Sequence, residues 1–422
     1  MALIRRGDSG SKIMEIQEVL KKLGYNVGRV DGVFGPGTLR AVIEFQMRHS
    51  LSSDGIIGPD TYYALRPYLE GYESYTVRTG DTIPRISSWF GVPQDFIRAA
   101  NPGAELAPPA PGSIIRVPYN YDVVDTNIYY TSAIMQRDIV GLKARYPFLE
   151  ISSAGRSVLD KDLSVIRIGL GENTVFYNAS HHAVEWITTP VLMKFIENYA
   201  RSYVLGGEIG GYNTRRLYEN SSIYIMPMVN PDGVDLAIDG LKRDNPYYDD
   251  LLKWNGGSED FSRWSANIRG VDLNHNYDAA WEQSTEAAEL AGITGPGPTR
   301  YGGPKPESEP ESAAVADFTR SNNFSLVKAY HSQGEVIYWN FMNMAPPEAF
   351  EIGRQLSLLS GYLLDTPEGL AGFAGYKDWF IKQYRRPGYT IEVGRGINPL
   401  PLSQFDSIYA SCEGMLAYAA TR

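Results

Sequence analysis

The residues of this sequence best suited to chemistry are His182, Glu185, His331 and Glu392, drawn from three segments far apart in a Gly- and Pro-rich C-terminal region. Two imidazoles and two carboxylates can bind a zinc ion and activate its water, because two His and one carboxylate leave zinc a fourth position open. The chain has only five histidines (His49, His181, His182, His275 and His331), and four of them fall in this region. His182-Ala-Val-Glu185 places an imidazole and a carboxylate three residues apart, able to converge on one ion, with His181 as the rival to His182. Taken alone, an H-x-x-E pair has a plainer explanation: a hydrogen-bonded core histidine and a solvated helix glutamate.

Positioning such a set needs a rigid scaffold. From about Tyr121 onward, apolar strands alternate with helices, the pattern of an α/β sheet. Expected strands are Ser164–Leu170, Thr174–Asn178, Ser222–Met228, Leu326–Tyr330, Glu335–Trp339 and Tyr389–Val393, and several run into the polar residues of the site segments. In open α/β sheets the site lies beyond the carboxyl ends of the strands, which suits this placement. Ser308-Glu-Pro-Glu311 fits a capping box that starts a helix, its glutamates serving as caps. The Gly/Pro-rich loop 295–306 before it is expected to border the cleft.

A chain of 422 residues exceeds one ordinary core, and length alone suggests about three domains. The net charge of -10 and the lack of Lys/Arg clusters argue against a general nucleic-acid binder. A single cysteine, Cys412, excludes an internal disulfide and a Cys-based zinc site. Met1-Ala-Leu-Ile-Arg-Arg-Gly7 passes directly into an amphipathic helix with no apolar signal core, and no apolar run approaches the roughly 20 residues that span a bilayer.

The first 71 residues contain a repeat: Asp31-Gly-Val-Phe-Gly-Pro-Gly-Thr38 recurs as Asp54-Gly-Ile-Ile-Gly-Pro-Asp-Thr61. Each copy reads as a tight turn and a helix start, with Thr as the N-cap. Ile13, Ile16, Val19, Leu20 and Leu23 precede it at helical spacing, which makes a small three-helix unit. It resembles the peptidoglycan-binding domain of bacterial wall hydrolases. Residues 74–119 follow with strand, two short helices and strand, from Tyr75-Thr-Val-Arg-Thr-Gly-Asp-Thr82 to the Pro/Gly turn before Val117. This βααβ order is similar to a LysM module, which implies binding to N-acetylglucosamine-containing glycan. With no signal segment in view, a cell-wall or spore location and cytoplasmic recycling of wall fragments both stay open.

The third expected domain, 122–422, carries four ordered motifs. Ile225-Met-Pro-Met-Val-Asn-Pro-Asp-Gly-Val234, Gly270-Val-Asp-Leu-Asn-His-Asn-Tyr277, Ala329-Tyr-His-Ser332 and Tyr389-Thr-Ile-Glu-Val-Gly394 follow the His182 segment. Together they resemble the M14 metallocarboxypeptidase family, which implies a mixed-sheet α/β zinc peptidase domain. The resemblance makes His182, Glu185 and His331 the zinc ligands and Glu392 the residue that takes a proton from the bound water and passes it to the departing amine. Asn274-His275 stands where family members carry Asn-Arg, and an imidazole lacks the bidentate fork that clamps a terminal carboxylate. The family's oxyanion-stabilising Arg aligns with Ser265, so Arg269, or its neighbour Arg263, is the expected substitute. The family's mobile Tyr aligns with Leu370, which leaves Tyr376 as the replacement. D-L-N-H together with G-Y-K-D-W-F is similar to the branch that cleaves γ-D-glutamyl-diaminopimelate bonds in peptidoglycan stem peptides. The alternatives are a metallocarboxypeptidase acting on ordinary peptides, an amidohydrolase of the same fold, and a catalytically silent wall-binding protein.

Overall fold

The computed structural model describes residues 3–104, 108–366 and 372–422, and it divides into two compact units, Met1–Phe148 and Leu149–Arg422. The first opens with α1 (Ser11–Lys22), α2 (Pro36–Arg48) and α3 (Pro59–Glu70), closed over Ile16, Leu20, Val42, Phe45 and Leu65. The repeat works through buried glutamines. Gln17 Nε2 donates to Thr38 Oγ1 (2.9 Å), Asp31 Oδ1 (3.2 Å) and the Val33 carbonyl (3.1 Å), while its Oε1 accepts the Gly32 N–H (2.9 Å). Gln46 does the same for the second copy, with Thr61 Oγ1 (3.0 Å), Asp54 Oδ1 (3.0 Å), the Ile56 carbonyl (2.9 Å) and the Gly55 N–H (2.9 Å). Thr38 and Thr61 are therefore not N-caps. Gly35 and Gly58 hold the cap positions with Pro36 and Pro59 just inside the helices, and each threonine lies a turn further on, accepting its glutamine's amide.

The βααβ segment follows as β1 (Tyr72–Thr76), α4 (Ile83–Phe90), α5 (Gln94–Ala100) and β2 (Ile114–Pro118), the two strands antiparallel. Here a threonine does cap a helix, since Thr82 Oγ1 accepts the Arg85 N–H at the start of α4. The same unit ends with α6 (Ser132–Arg145). Residues 122–148, placed in the third domain by the sequence pattern, thus group with the two small modules in compactness.

The second unit is built on β3 (Glu150–Arg156), β4 (Asp162–Ile168), β5 (Asn173–Ala179), the small hairpin β6 (Glu208–Ile209) and β7 (Tyr212–Asn213), β8 (Ser221–Met226), β9 (Leu326–His331), β10 (Val336–Tyr338), β11 (Leu363–Asp365) and β12 (Gly388–Glu392). Eight of these form one mixed sheet in the order β11-β10-β12-β9-β5-β8-β4-β3, with β12, β9, β5 and β8 parallel to their neighbours within that group. Around it lie α7 (Thr188–Leu205), α8 (Thr214–Asn220), α9 (Pro231–Asp239), α10 (Tyr248–Trp254), α11 (Trp281–Leu290), α12 (Pro310–Arg320), α13 (Pro347–Ser360), α14 (Tyr376–Tyr384) and α15 (Phe405–Ala419). The central strands are buried on both faces, as parallel strands under helices must be. Phe176 of β5 enters a cluster with Val315, Val327 and Trp379, whereas the next residue, Tyr177, donates its hydroxyl to the Leu416 carbonyl of α15 (2.9 Å). Among the described residues, no helix is long and apolar enough to cross a membrane.

Candidate metal centre

Three segment ends meet at the carboxyl edge of the sheet. After β5 the chain turns sharply at Ser180 (φ 51°) into a short 3₁₀ turn, Ala183–Glu185. Buried hydroxyls brace that turn: Ser180 Oγ lies 3.0 Å from Thr188 Oγ1 and 2.8 Å from Thr189 Oγ1. Asn230 of the N-P-D-G motif donates Nδ2 to the His181 carbonyl (3.0 Å), fixing the backbone just before His182. His331 ends β9 and Glu392 ends β12, and the two residues are paired in the sheet register.

His182, Glu185 and His331 each offer one ligand atom within 4.8 Å of the others. His182 Nδ1 and His331 Nδ1 lie 2.9 Å from the two oxygens of Glu185, Oε1 and Oε2 respectively, and 3.3 Å from each other. The tautomer of His182 follows from its other nitrogen. Nε2–H donates to Asp272 Oδ1 (3.0 Å), so Nδ1 presents its lone pair to the cluster, the carboxylate–histidine arrangement typical of zinc ligands. Asp272 is itself held, its Oδ2 accepting the Arg300 N–H (2.7 Å) and the Thr299 hydroxyl (3.2 Å) from the loop 295–306, and its Oδ1 the Asn274 N–H (3.2 Å). Lone pairs from two imidazoles and a carboxylate converging on one point form a donor set for a divalent cation, and the residues fit zinc.

The electrostatics agree. Burial works against charge on Asp272, yet His182, His275 and the amide donors outweigh it and hold the carboxyl far below the usual range. Burial and the charge of Glu185 push the Glu392 carboxyl well up, opposed by His182.

The remaining expected residues have varied places. His181 is not in the cluster: its Nε2 is 2.9 Å from Tyr277 Oη, and its ring stacks on His331 and Tyr376 at 5.5 and 6.0 Å. The candidate donor set thus contains His182 and not His181. Asn274 Oδ1 accepts the Tyr376 N–H (3.1 Å), tying the first turn of α14, with its buried Lys377–Asp378 pair, to the strap that carries Asp272. His275 is half-buried with Nδ1 3.1 Å from Ser284 Oγ. Tyr376 is 0 % exposed, bonded to Thr319 Oγ1 (2.9 Å) and packed against Phe176, Tyr277 and Trp379. A side chain locked there is a core residue and does not replace a mobile tyrosine; Leu370 lies outside the described residues.

Arg269 donates Nε to Glu309 Oε2 (2.8 Å) and makes no hydrogen bond or ion pair with the three ligands or Glu392 among the described residues. Glu309 holds the N-cap position of α12 but neither glutamate makes the expected side-chain cap, because the Glu309 carboxylate accepts from Arg269 and Asn267 (2.8 Å) while Glu311 accepts from Asn267 (3.2 Å) and the Val158 N–H (3.1 Å). Burial, aided by Asp232, raises the Glu311 carboxyl to about 7 from its ordinary 4.5. The folded state therefore holds a proton that the unfolded chain loses. Stability from this group is full below about 4.5 and lost as pH rises through about 7, on the order of 3 kcal/mol. Urea unfolding of the second unit is expected to show that loss between about pH 4 and about pH 8, and Glu311→Gln is expected to flatten it; an unchanged pH dependence in the variant contradicts the assignment.

Asp272 and Asn398 were not singled out as site residues by sequence, although Asp272 sits two residues before Asn274 in a motif already recognised. Asn398 reaches the cluster from the loop after Glu392.

Residues 135–363, more than half of the chain, match the zinc carboxypeptidase family of M14 peptidases. The chain belongs to that family. In this M14 peptidase, residues 9–65 match a putative peptidoglycan binding domain and 75–118 a LysM domain. Gamma-D-glutamyl-L-diamino acid endopeptidase 1 of Lysinibacillus sphaericus is 44% identical over 286 residues, 68% of this chain and 71% of that protein. The uncharacterized protein YqgT of Bacillus subtilis (strain 168) is 35% identical over 290 residues, 68% of this chain and 76% of that one. Bovine thrombin-activatable fibrinolysis inhibitor shares the fold, with a TM-score of 0.53 and 20% identity over 70% of this chain and 96% of its own. Zinc is the metal of the M14 family, and His182, Glu185 and His331 are its candidate ligands here.

Proposed function

We propose that this M14 peptidase hydrolyses the bond between γ-D-glutamate and the following diamino acid, meso-diaminopimelate, in peptidoglycan stem peptides. The observation that carries the reading is the convergence of His182, Glu185 and His331 beside Glu392 in a chain 44% identical to a γ-D-glutamyl-L-diamino acid endopeptidase. When bound, zinc supplies a Lewis acid for the scissile carbonyl and acidifies a water. Asp272 keeps His182 in the tautomer that faces the ion. Glu392 takes the proton of the attacking water and returns it to the leaving amine of the diamino acid. Asn274 and His275 lie on the strap next to Asp272, where they contact the substrate; His275 offers one imidazole where a guanidinium fork would demand a plain C-terminal carboxylate. The peptidoglycan-binding and LysM modules raise the local concentration of wall substrate without adding contacts at the site.

Zinc removal tests the reading. Dialysis against a chelator is expected to abolish release of the diamino acid from γ-D-glutamyl peptides, and one equivalent of zinc to restore it. Full activity in the metal-free protein, or equal kcat/KM on ordinary C-terminal peptides, contradicts it.

A further inference from the structure

The loop that follows Glu392 folds back over the turn that follows His331, and three clamps join them. Gly334 N–H donates to the Gly394 carbonyl (2.8 Å), and Arg395 pairs with Glu335 (2.6 Å) at the surface. The innermost clamp is Asn398. Its Oδ1 accepts the Ser332 hydroxyl (2.8 Å), its Nδ2 donates to the Ser332 carbonyl (2.7 Å), and the same Nδ2 lies 3.5 Å from Glu185 Oε1. The amide orientation is set by its partners: a carbonyl and a carboxylate both require the NH₂ end, and the reverse placement would set three oxygens against one another.

Asn398 therefore touches two of the ligand-bearing segments while belonging to the third segment of the site, six residues beyond Glu392. We infer that Asn398 is a positioning residue of the metal centre. Its amide holds the Glu185 carboxylate and the backbone after His331 in register with the strand end that presents Glu392. The two outer clamps hold the loops together but touch no ligand, and an exposed pair such as Arg395–Glu335 contributes little. Outer-shell hydrogen bonds of this kind typically govern metal affinity by about 10- to 100-fold.

The inference rests on the zinc reading, and the test separates the two. Zinc dissociation constants are measured by chelator competition for the full-length wild type, Asn398→Ala, Asn398→Ser and Arg395→Ala. Asn398→Ala and Asn398→Ser are expected to bind zinc about 10- to 100-fold more weakly, the serine being too short to reach Glu185 and serving where the alanine variant fails to fold. Arg395→Ala is expected to match wild type. Wild-type affinity in the Asn398 variants, or the same weakening in Arg395→Ala, overturns the assignment by reducing Asn398 to a generic loop brace. A wild type that binds no zinc removes the metal reading itself, and this inference with it.

Discussion

Glu392→Gln is expected to lower kcat/KM on a γ-D-glutamyl-diaminopimelate peptide by about 10²- to 10⁴-fold, the range a positioned acid–base group supplies. The substitution preserves shape and removes only the capacity to take and return a proton. Zinc affinity is expected to stay near the wild-type value, since Glu392 is not among the three converging ligand atoms. The effect should fall on kcat more than on KM, because the proton is transferred only on the way to the transition state. Retention of more than about a tenth of wild-type kcat/KM, outside the range for such a group, would place the general base elsewhere.

His331→Ala is expected to empty the site. Structural zinc sites with four protein ligands are worth about 10–16 kcal/mol, roughly 3 kcal/mol per ligand, so loss of one of the three protein ligands here weakens binding by at least about 100-fold. Turnover should fall to background at micromolar zinc while circular dichroism stays that of the folded chain. His181→Ala is the matching control. That ring lies behind the cluster, between Tyr277 and His331, so its removal leaves a cavity and lowers stability but keeps the zinc. A His181 variant that loses metal while His331→Ala retains it would reverse the ligand assignment.

How far these features were legible in the sequence depends on whether local pattern or long-range hydrogen bonding decides them. The repeat in the first unit, the βααβ segment and the central strands were legible because turn dipeptides and apolar runs are local signals. His331 and Glu392 were singled out through the motifs that carry the M14 resemblance; in the structure each ends an apolar strand, and parallel strands deliver their carboxyl ends to one edge. The edge strand β3 was missed: Glu150-Ile-Ser-Ser-Ala-Gly-Arg156 has no buried residue and little apolar alternation to mark it. Thr38 and Thr61 carry the composition of an N-cap, but Gln17 and Gln46, fifteen to twenty-one residues earlier, claim their hydroxyls. Tyr376 shows the same limit. Its position in the motif says nothing of a helix start that turns the ring inward onto Thr319. Asp272 and Asn398 act through long-range hydrogen bonds made by loops that carry no periodicity, so their roles show in three-dimensional contact even though Asp272 lies inside a recognised motif.

The central claim is which bond this peptidase cuts, and product mass settles that directly. L-Ala-γ-D-Glu-meso-diaminopimelate peptide is incubated with the zinc-loaded wild type and with Glu392→Gln, and the products are weighed by mass spectrometry. Release of L-Ala-D-Glu together with the free diamino acid by wild type alone is the predicted result. An intact γ-glutamyl bond, with hydrolysis of ordinary C-terminal peptides in its place, would contradict the account and return the chain to plain carboxypeptidase activity.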